Sequence, residues 1–352
     1  MLTALIMAGG SGTRFWPLSR EKQPKQYLKI VSDKSMIRMT LDRLDPIVKC
    51  SDAFVVTSAM QSVLVSRELP ELPAENIIVE PFGMNTAPAI ALSSIYLRRK
   101  YEGDDIVVVL PSDHVIKDLD AFNASLRSAE ALAREGYLVT FGVKPEYPAT
   151  GYGYIEAGGK KLGGGFEVAS FKEKPDHDTA EKFCRKGNFY WNSGMFVWRL
   201  DAILEAYRKL APDLNEILAE ISAKWDRDGI LADISELYSK MPKIPVDIGI
   251  MEKSERRAVI PVDYGWSDVG GWRALMDLKP HDSDGNVMEC DCETINSHSN
   301  FVKTDKLVAL IDVYNLVIVE TDDVLLVANK DSSEKVRDIV RRLQGKGLKK
   351  CL

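Results

Sequence analysis

The stretch Met1-Leu-Thr-Ala-Leu-Ile-Met7, followed at once by Ala8-Gly-Gly-Ser-Gly-Thr-Arg14-Phe-Trp-Pro-Leu-Ser19, decides how this chain reads. Its apolar start carries no basic residues and meets glycine within a few positions, so it predicts a buried strand rather than a signal peptide. Glycines directly after a strand let backbone N–H groups approach a phosphate where any side chain would block it. Two familiar nucleotide loops are excluded by inspection. G-x-G-x-x-G requires glycine at position 15, which is Phe15, and a Walker A loop requires Lys after Gly12, which is followed by Thr13 and Arg14. What stands there instead is a glycine turn backed by two cations, Arg14 and, after Pro24, Lys25. An arginine fork plus a lysine point charge suits a polyphosphate leaving group.

Outward from this loop, the chain alternates apolar runs with helical patterns. Strands are expected at Leu2–Met7, Ala53–Thr57, Ile77–Glu80, Ile106–Leu110 and Leu138–Val143, and helices at Ser35–Leu44, Pro88–Arg99 and Ala121–Arg134. Continuous β-branched strands separated by helices predict a doubly wound, mostly parallel, Rossmann-like α/β sheet, with ligands beyond the carboxyl ends of its strands. From about 144 to 275 the pattern is mixed and reads as an elaborated second half of the same domain. After Asp282 short runs follow one another every eight to ten residues: Val287–Ile295, Phe301–Lys303, Leu307–Ile311, Leu316–Glu320 and Val324–Val327. They predict a small β-rich module, a short β-helix. A terminal helix follows, with an Asp331/Glu334 capping pair, one apolar face (Val336, Ile339, Val340, Leu343) and a stop at Gly345 and Gly347; it reads as packing rather than function. The expected division is a domain over 1–280 and the module over 281–352.

Composition sets bounds on function. With 352 residues, 45% hydrophobic and 28% charged, the chain is ordinary for a globular protein of one large and one small module. A net charge of −6 argues against a general nucleic-acid or membrane surface. No apolar run reaches the ~18–20 residues that span a bilayer. The five cysteines are scattered; Cys290 and Cys292 lack zinc-like partners, which favours free thiols and a cytoplasmic setting.

Taken whole, residues 8–25 resemble the G-x-G-T-R-x-x-P-L-S…P-K motif of the nucleoside-diphosphate-sugar pyrophosphorylases, and their wording is closest to the mannose-1-phosphate guanylyltransferases. Other segments match in order: Glu80-Pro-Phe-Gly-Met-Asn85-Thr-Ala, Pro111-Ser112-Asp113-His114, Gly151-Tyr-Gly153-Tyr, Phe171-Lys-Glu173-Lys174-Pro, Trp191-Asn192-Ser-Gly-Met-Phe, Val246-Asp247-Ile-Gly-Ile-Met-Glu252 and Tyr264-Gly-Trp-Ser-Asp268-Val-Gly-Gly-Trp272. By residues alone, Lys172–Pro175 is a solvated charge run, Asp113 a turn residue and Asn85 a helix cap beside Pro88.

The resemblance implies more. Ala8, Gly9, Gly10, Gly12, Thr13, Glu80, Asn85 and Ser112 would bind the nucleotide, with Glu80 and Asn85 reading guanine or its ribose. Gly153, Glu173, Lys174, Asn192 and Asp247 would bind the sugar phosphate, Asp247 less firmly because Ile248 replaces the usual Tyr. Asp113 and Asp268 would hold Mg²⁺ (or Mn²⁺), and Arg14, Lys25 and Lys174 would be the catalytic cations. His114 is left structural. The implied reaction joins GTP and mannose 1-phosphate into GDP-mannose and pyrophosphate, by in-line displacement without a nucleophilic side chain. The alternatives are another sugar 1-phosphate (glucose, fucose, a heptose), another nucleotide, or a non-catalytic regulatory homologue. No isomerase activity is expected from a chain of this length. The β-rich module and its helix offer surfaces for a homodimer and equally for capping the domain.

Overall fold

The computed structural model describes residues 1–10, 12–45 and 47–352, so Ser11 of the glycine loop lies outside the described residues. The chain divides into two compact units. The first comprises Met1–Gly9, Thr40–Ser112 and Ile116–Trp266; the second comprises Gly10–Met39, Asp113–Val115 and Ser267–Leu352.

In the first unit, the described residues form a nine-stranded sheet. Its strands are β1 (Leu2–Met7), β2 (Ala53–Ser58), β3 (Ile77–Glu80), β4 (Ile106–Pro111), β5 (Leu138–Val143), β6 (Tyr154–Leu162), β7 (Gly165–Lys172), β8 (Phe189–Arg199) and β9 (Arg257–Val262), in the order β3-β2-β1-β4-β8-β5-β9-β7-β6. Residues such as Ile106-Val-Val-Val-Leu110 are buried along their whole length, as a strand covered on both faces requires. The parallel expectation holds for β3-β2-β1-β4 and for β5 with β9. It fails where β8 lies antiparallel between β4 and β5, and where β6 and β7 form a hairpin. The β6–β7 turn, Gly163-Gly164, is short, and two strands joined this closely can only pair antiparallel.

Helix ends differ from expectation by a residue or a few. Asn85 caps Thr86–Leu97, and Asp118 caps Leu119–Arg134 by accepting from the Ala121 N–H at 2.9 Å. Phe122, Leu126, Ala129 and Leu132 form the buried stripe of the latter helix.

The second unit contains a short parallel β-helix. Its strands are β10 (Val287–Glu289), β11 (Cys292–Ile295), β12 (Phe301–Lys303), β13 (Val308–Ile311) and β14 (Leu316–Glu320), closed by antiparallel β15 (Leu325–Asn329). The expected single run Val287–Ile295 is therefore two strands on two faces. β10, β12 and β14 stack in parallel with Val287, Phe301 and Val317 in register, while β11 stacks on β13. Left-handed corners recur in register at Gly285, Ser299 and Asn315, and at Asn296 and Asp312. Inside the stack the buried Asn286 accepts from Asn300 N at 2.9 Å, and Asn300 Oδ1 accepts from Leu316 N at 3.0 Å. Such a ladder satisfies backbone groups that the corners would otherwise leave bare.

The terminal helix is Val336–Gly345. The expected Asp331/Glu334 cap does not form. Asn329 instead accepts from Asp331 N at 3.0 Å and starts a tighter 3₁₀ segment, Lys330–Lys335, ahead of the helix. Val336 and Val340 are buried with Phe15, Trp16 and Trp272, whereas Ile339, expected on the same face, is exposed.

Candidate active site

The residues singled out by sequence fall into two clusters, one in each unit. In the second unit, Pro24 ends an extended entry and Lys25 begins a 3₁₀ turn that buries its side chain, 6% exposed, beside the Phe15 ring. Its ammonium donates to Asp113 Oδ2 at 2.9 Å, to the Asp113 carbonyl at 3.1 Å and to the Asp268 carbonyl at 2.7 Å. All three N–H donors are thus engaged. Burial opposes ionisation of Asp113, but the Lys25 charge, then that of His114, holds its carboxyl below the ordinary range. Arg14 donates to the Gly270 carbonyl at 3.2 Å. A pocket of about 300 Å³ opens here, lined by Gly12, Thr13, Arg14, Lys25, Asp113, Gly270 and Arg337.

The glycines have different reasons. Gly12 sits at φ +61°, and a Cβ there would lie 2.3 Å from Lys25 Cβ, so both backbone conformation and packing require glycine. A Cβ on Gly9 would meet Glu80 Oε1 at 3.1 Å, whereas one on Gly10 would meet nothing within 4 Å. Of these three glycines, Gly10 is the one beside which the described residues leave space open. Gln26 holds the Gly10 carbonyl at 3.0 Å.

Asp113 and Asp268 are the carboxylates Lys25 brings together through their backbones. Among the described residues no group of three or more His, Cys, Asp or Glu side chains could hold a metal ion, Cys290 and Cys292 included. Two carboxylates without soft donors fit a hard divalent cation that completes its shell with phosphate oxygens and water.

In the first unit, the cluster has a base side and a sugar side. Glu80, 4% exposed at the end of β3, accepts from the Tyr238 hydroxyl at 2.8 Å. Burial pushes its carboxyl above the ordinary range, against the lowering effect of Tyr238 and the Met84 N–H. Asn85 has φ +82° and caps its helix through Thr86 N at 2.8 Å, so its amide N–H₂ stays outward while Oδ1 is used. Ala8 is pinned between Val56 O and the Thr57 hydroxyl, which donates to its carbonyl at 2.7 Å, and Ser112 N donates to Met7 O at 3.1 Å.

All five expected sugar-side residues lie together. Asn192 is the hub: Nδ2 donates to Asp247 Oδ1 at 2.7 Å, Oδ1 accepts from the Thr140 hydroxyl at 3.0 Å, and its N–H donates to Gly153 O at 2.8 Å. The pairing of β5 with β8 slips between Thr140 and Gly142, beside this hub, as bulges near functional sites often do. A Cβ on Gly153 would fall 2.6 Å from Glu173 Oε2, so its backbone packs directly on that carboxylate. Glu173 Oε1 accepts from the exposed Lys174 ammonium at 2.7 Å. Asp247 opens a widened helical turn in which Glu252 N reaches back to its carbonyl at 2.7 Å. Burial first, then the Glu173 charge, raises the Asp247 carboxyl to about 6, against Asn192 and Lys174.

Several residues of the two clusters have no signal of their own in the sequence. Tyr238 holds Glu80 across 158 positions of sequence, and Glu252 accepts from Glu173 N at 3.0 Å across 79. Neither contact has a local pattern to announce it, although Glu252 does close one of the family-like segments. Arg337 stands in a helix whose sequence reads as packing alone.

A nucleotidyl transferase family model matches residues 3–285, and a model described as a MannoseP isomerase/GMP-like beta-helix domain matches 293–343. The chain belongs to the nucleotidyl transferase family, on its mannose-1-phosphate guanylyltransferase branch. Enzymes of this family transfer nucleotidyl groups and generally use a divalent metal. The mannose-1-phosphate guanylyltransferase of Escherichia coli K12 is 39% identical over 98% of this chain and 74% of its own length. A Klebsiella pneumoniae protein of the same name is 40% identical over 98% of this chain and 74% of its own. A crystal structure described as mannose-1-phosphate geranyltransferase from Thermus thermophilus superposes with a TM-score of 0.87 at 34% identity, over 97% of this chain and 99% of that one. Among the described residues no helix is long and apolar enough to cross a membrane.

Proposed function

We infer that the chain transfers GMP from GTP to mannose 1-phosphate, giving GDP-mannose and pyrophosphate. The observation that carries the reading is Lys25, which joins Asp113 and Asp268 beside Arg14 at a glycine loop of the family motif. The near full-length likeness to mannose-1-phosphate guanylyltransferases supplies the sugar and the base.

In this reading an oxygen of the sugar phosphate attacks the α-phosphorus of GTP, and the bond to the β-phosphate oxygen breaks as pyrophosphate leaves. The attacking phosphate is already ionised, so no side chain need act as nucleophile, and catalysis is positioning plus charge stabilisation. Glu80 accepts from the guanine N–H edge, and Asn85 reads the base or its ribose; Ala8, Gly9, Gly10, Gly12, Thr13 and Ser112 line the nucleotide. Gly153, Glu173, Asn192 and Asp247 hold sugar hydroxyls, and Lys174 orients the attacking phosphate. Arg14 binds the departing pyrophosphate. Lys25 keeps Asp113 and Asp268 poised and adds positive charge near the α-phosphate. Mg²⁺ (or Mn²⁺), held by Asp113 and Asp268, would neutralise developing charge on the phosphates. A catalytic domain over 1–280, a β-rich module over 281–352, a cytoplasmic setting and a homodimer belong to the same proposal.

The test is a pyrophosphate-release assay crossing the common nucleoside triphosphates with mannose, glucose and fucose 1-phosphates, with and without Mg²⁺. Highest turnover is expected for GTP with mannose 1-phosphate and Mg²⁺, and silence in that combination refutes the reading.

A further inference from the structure

The β-helix module ends in a helix that packs on the 3₁₀ turn Thr13–Phe15 of the glycine loop. Val336 and Val340 anchor it in the same buried cluster as Phe15 and Trp16. Between these anchors Arg337, half-buried, enters the lining of the 300 Å³ pocket beside Gly12, Thr13, Arg14 and Lys25. The whole arrangement lies within the second unit.

We propose that Arg337 is a binding residue for the terminal phosphates of the nucleotide and for the pyrophosphate that leaves, acting with Arg14. This deepens the function proposed above and rests on it. Three observations carry it. The Arg337 guanidinium makes no hydrogen bond or ion pair among the described residues, although its neighbours Asp338 and Arg341 pair with each other at 3.2 Å. An arginine that is half-buried and bonded to no carboxylate has given up water without a direct partner, and a bound anion supplies one. Second, its pocket neighbours Arg14 and Lys25 are also cations. Lys25 has spent its donors on Asp113 and Asp268, and Arg14 donates one N–H to Gly270 O, so the pocket's uncommitted N–H donors are mainly those of the two guanidiniums. Burial, and after it the Arg14 charge, lowers the pKa of Arg337, and the opposing pull of the Glu334 and Asp338 carboxylates on its own segment does not outweigh them. Third, two forks on one pocket match a diphosphate, which offers acceptor oxygens on two phosphorus centres. The β-helix module then has a task beyond packing: it delivers one of the two forks.

The test is calorimetric titration of inorganic pyrophosphate with Mg²⁺ into the full chain, and separately of mannose 1-phosphate. The variants are Arg337→Ala, Arg337→Gln, Arg337→Lys, Arg14→Ala and, as a neighbouring control, Arg341→Ala. Pyrophosphate affinity should fall about ten- to hundredfold in Arg337→Ala and Arg337→Gln, less in Arg337→Lys and not in Arg341→Ala, with mannose 1-phosphate affinity unchanged. If Arg337→Ala loses its fold, the glutamine variant, which keeps most of the stem, decides the matter. Unaltered pyrophosphate affinity in the Arg337 variants while Arg14→Ala weakens it overturns this inference alone. A wild-type chain that binds no pyrophosphate overturns the polyphosphate reading of the loop, and the inference with it.

Discussion

Lys25 Nζ lies 2.9 Å from Asp113 Oδ2, and the same nitrogen reaches the Asp268 carbonyl at 2.7 Å, so a single ammonium ties together the two segments that carry the candidate metal carboxylates. Removing it leaves the Asp113 carboxylate without its counter-charge and frees both segments. Lys25→Ala should lose ~10²–10³ in turnover, the scale of a missing electrostatic donor. It should also raise the Mg²⁺ concentration needed for half-maximal rate. Steady-state kinetics under Mg²⁺ titration checks both, and near-normal activity sinks the assignment.

Gly12 and Gly10 separate packing from binding. Gly12→Ala must accommodate a left-handed backbone and a Cβ 2.3 Å from Lys25 Cβ, so its melting temperature should drop along with its activity. Gly10→Ala meets nothing within 4 Å and should melt like the wild type. If phosphate approaches there, its KM for GTP rises all the same. A thermal scan beside a GTP saturation curve distinguishes the two.

Tyr238→Phe deletes the hydroxyl that donates to buried Glu80. Losing a hydrogen bond to a buried charged group costs about 1–3 kcal/mol, or roughly 5- to 150-fold. The loss should appear in the KM for GTP and leave mannose 1-phosphate saturation little changed. Equal effects on both substrates count against Glu80 as the base reader.

Asp247 gives a pH signature. Its carboxyl titrates at about 6 in the fold, above the ~3.9 of an unfolded aspartate. Below pH ~4 both states hold the proton. Between ~4 and ~6 the folded state holds more, so this group's contribution to stability falls as pH rises and stays low above it. Asp247→Asn should therefore melt about 2 °C or more higher than wild type at pH 7, with the gain vanishing near pH 4. Mannose 1-phosphate should bind more weakly to it. A pH-independent difference in melting temperature refutes the titration argument.

Much of this was legible in residues. The strands β1 to β5 show in their β-branched runs because burial on both faces leaves the sequence little freedom. The glycine loop shows because its glycines and cations are contiguous. The antiparallel β8 did not show, since Phe189–Arg199 reads as an apolar strand in either direction and its neighbours are chosen by distant chain. The coil of the β-helix was visible as strand spacing, but its register became clear only from corners such as Asn296 with Asp312 and Ser299 with Asn315. Tyr238 and Arg337 act across long stretches of sequence, where no local periodicity marks them.

The stacked corners also make the β-helix a ruler. The parallel strands of each coil pair only with those of the coil before and after it, so the stack's length changes in whole steps of one strand spacing, about 4.8 Å. Insertion or loss of one coil would leave every strand satisfied and still shift the point from which the chain departs toward Val336. A module that tolerates such edits in stability does not tolerate them in reach. The number of turns, more than the residues within them, then decides whether a guanidinium on the far side arrives at the glycine loop.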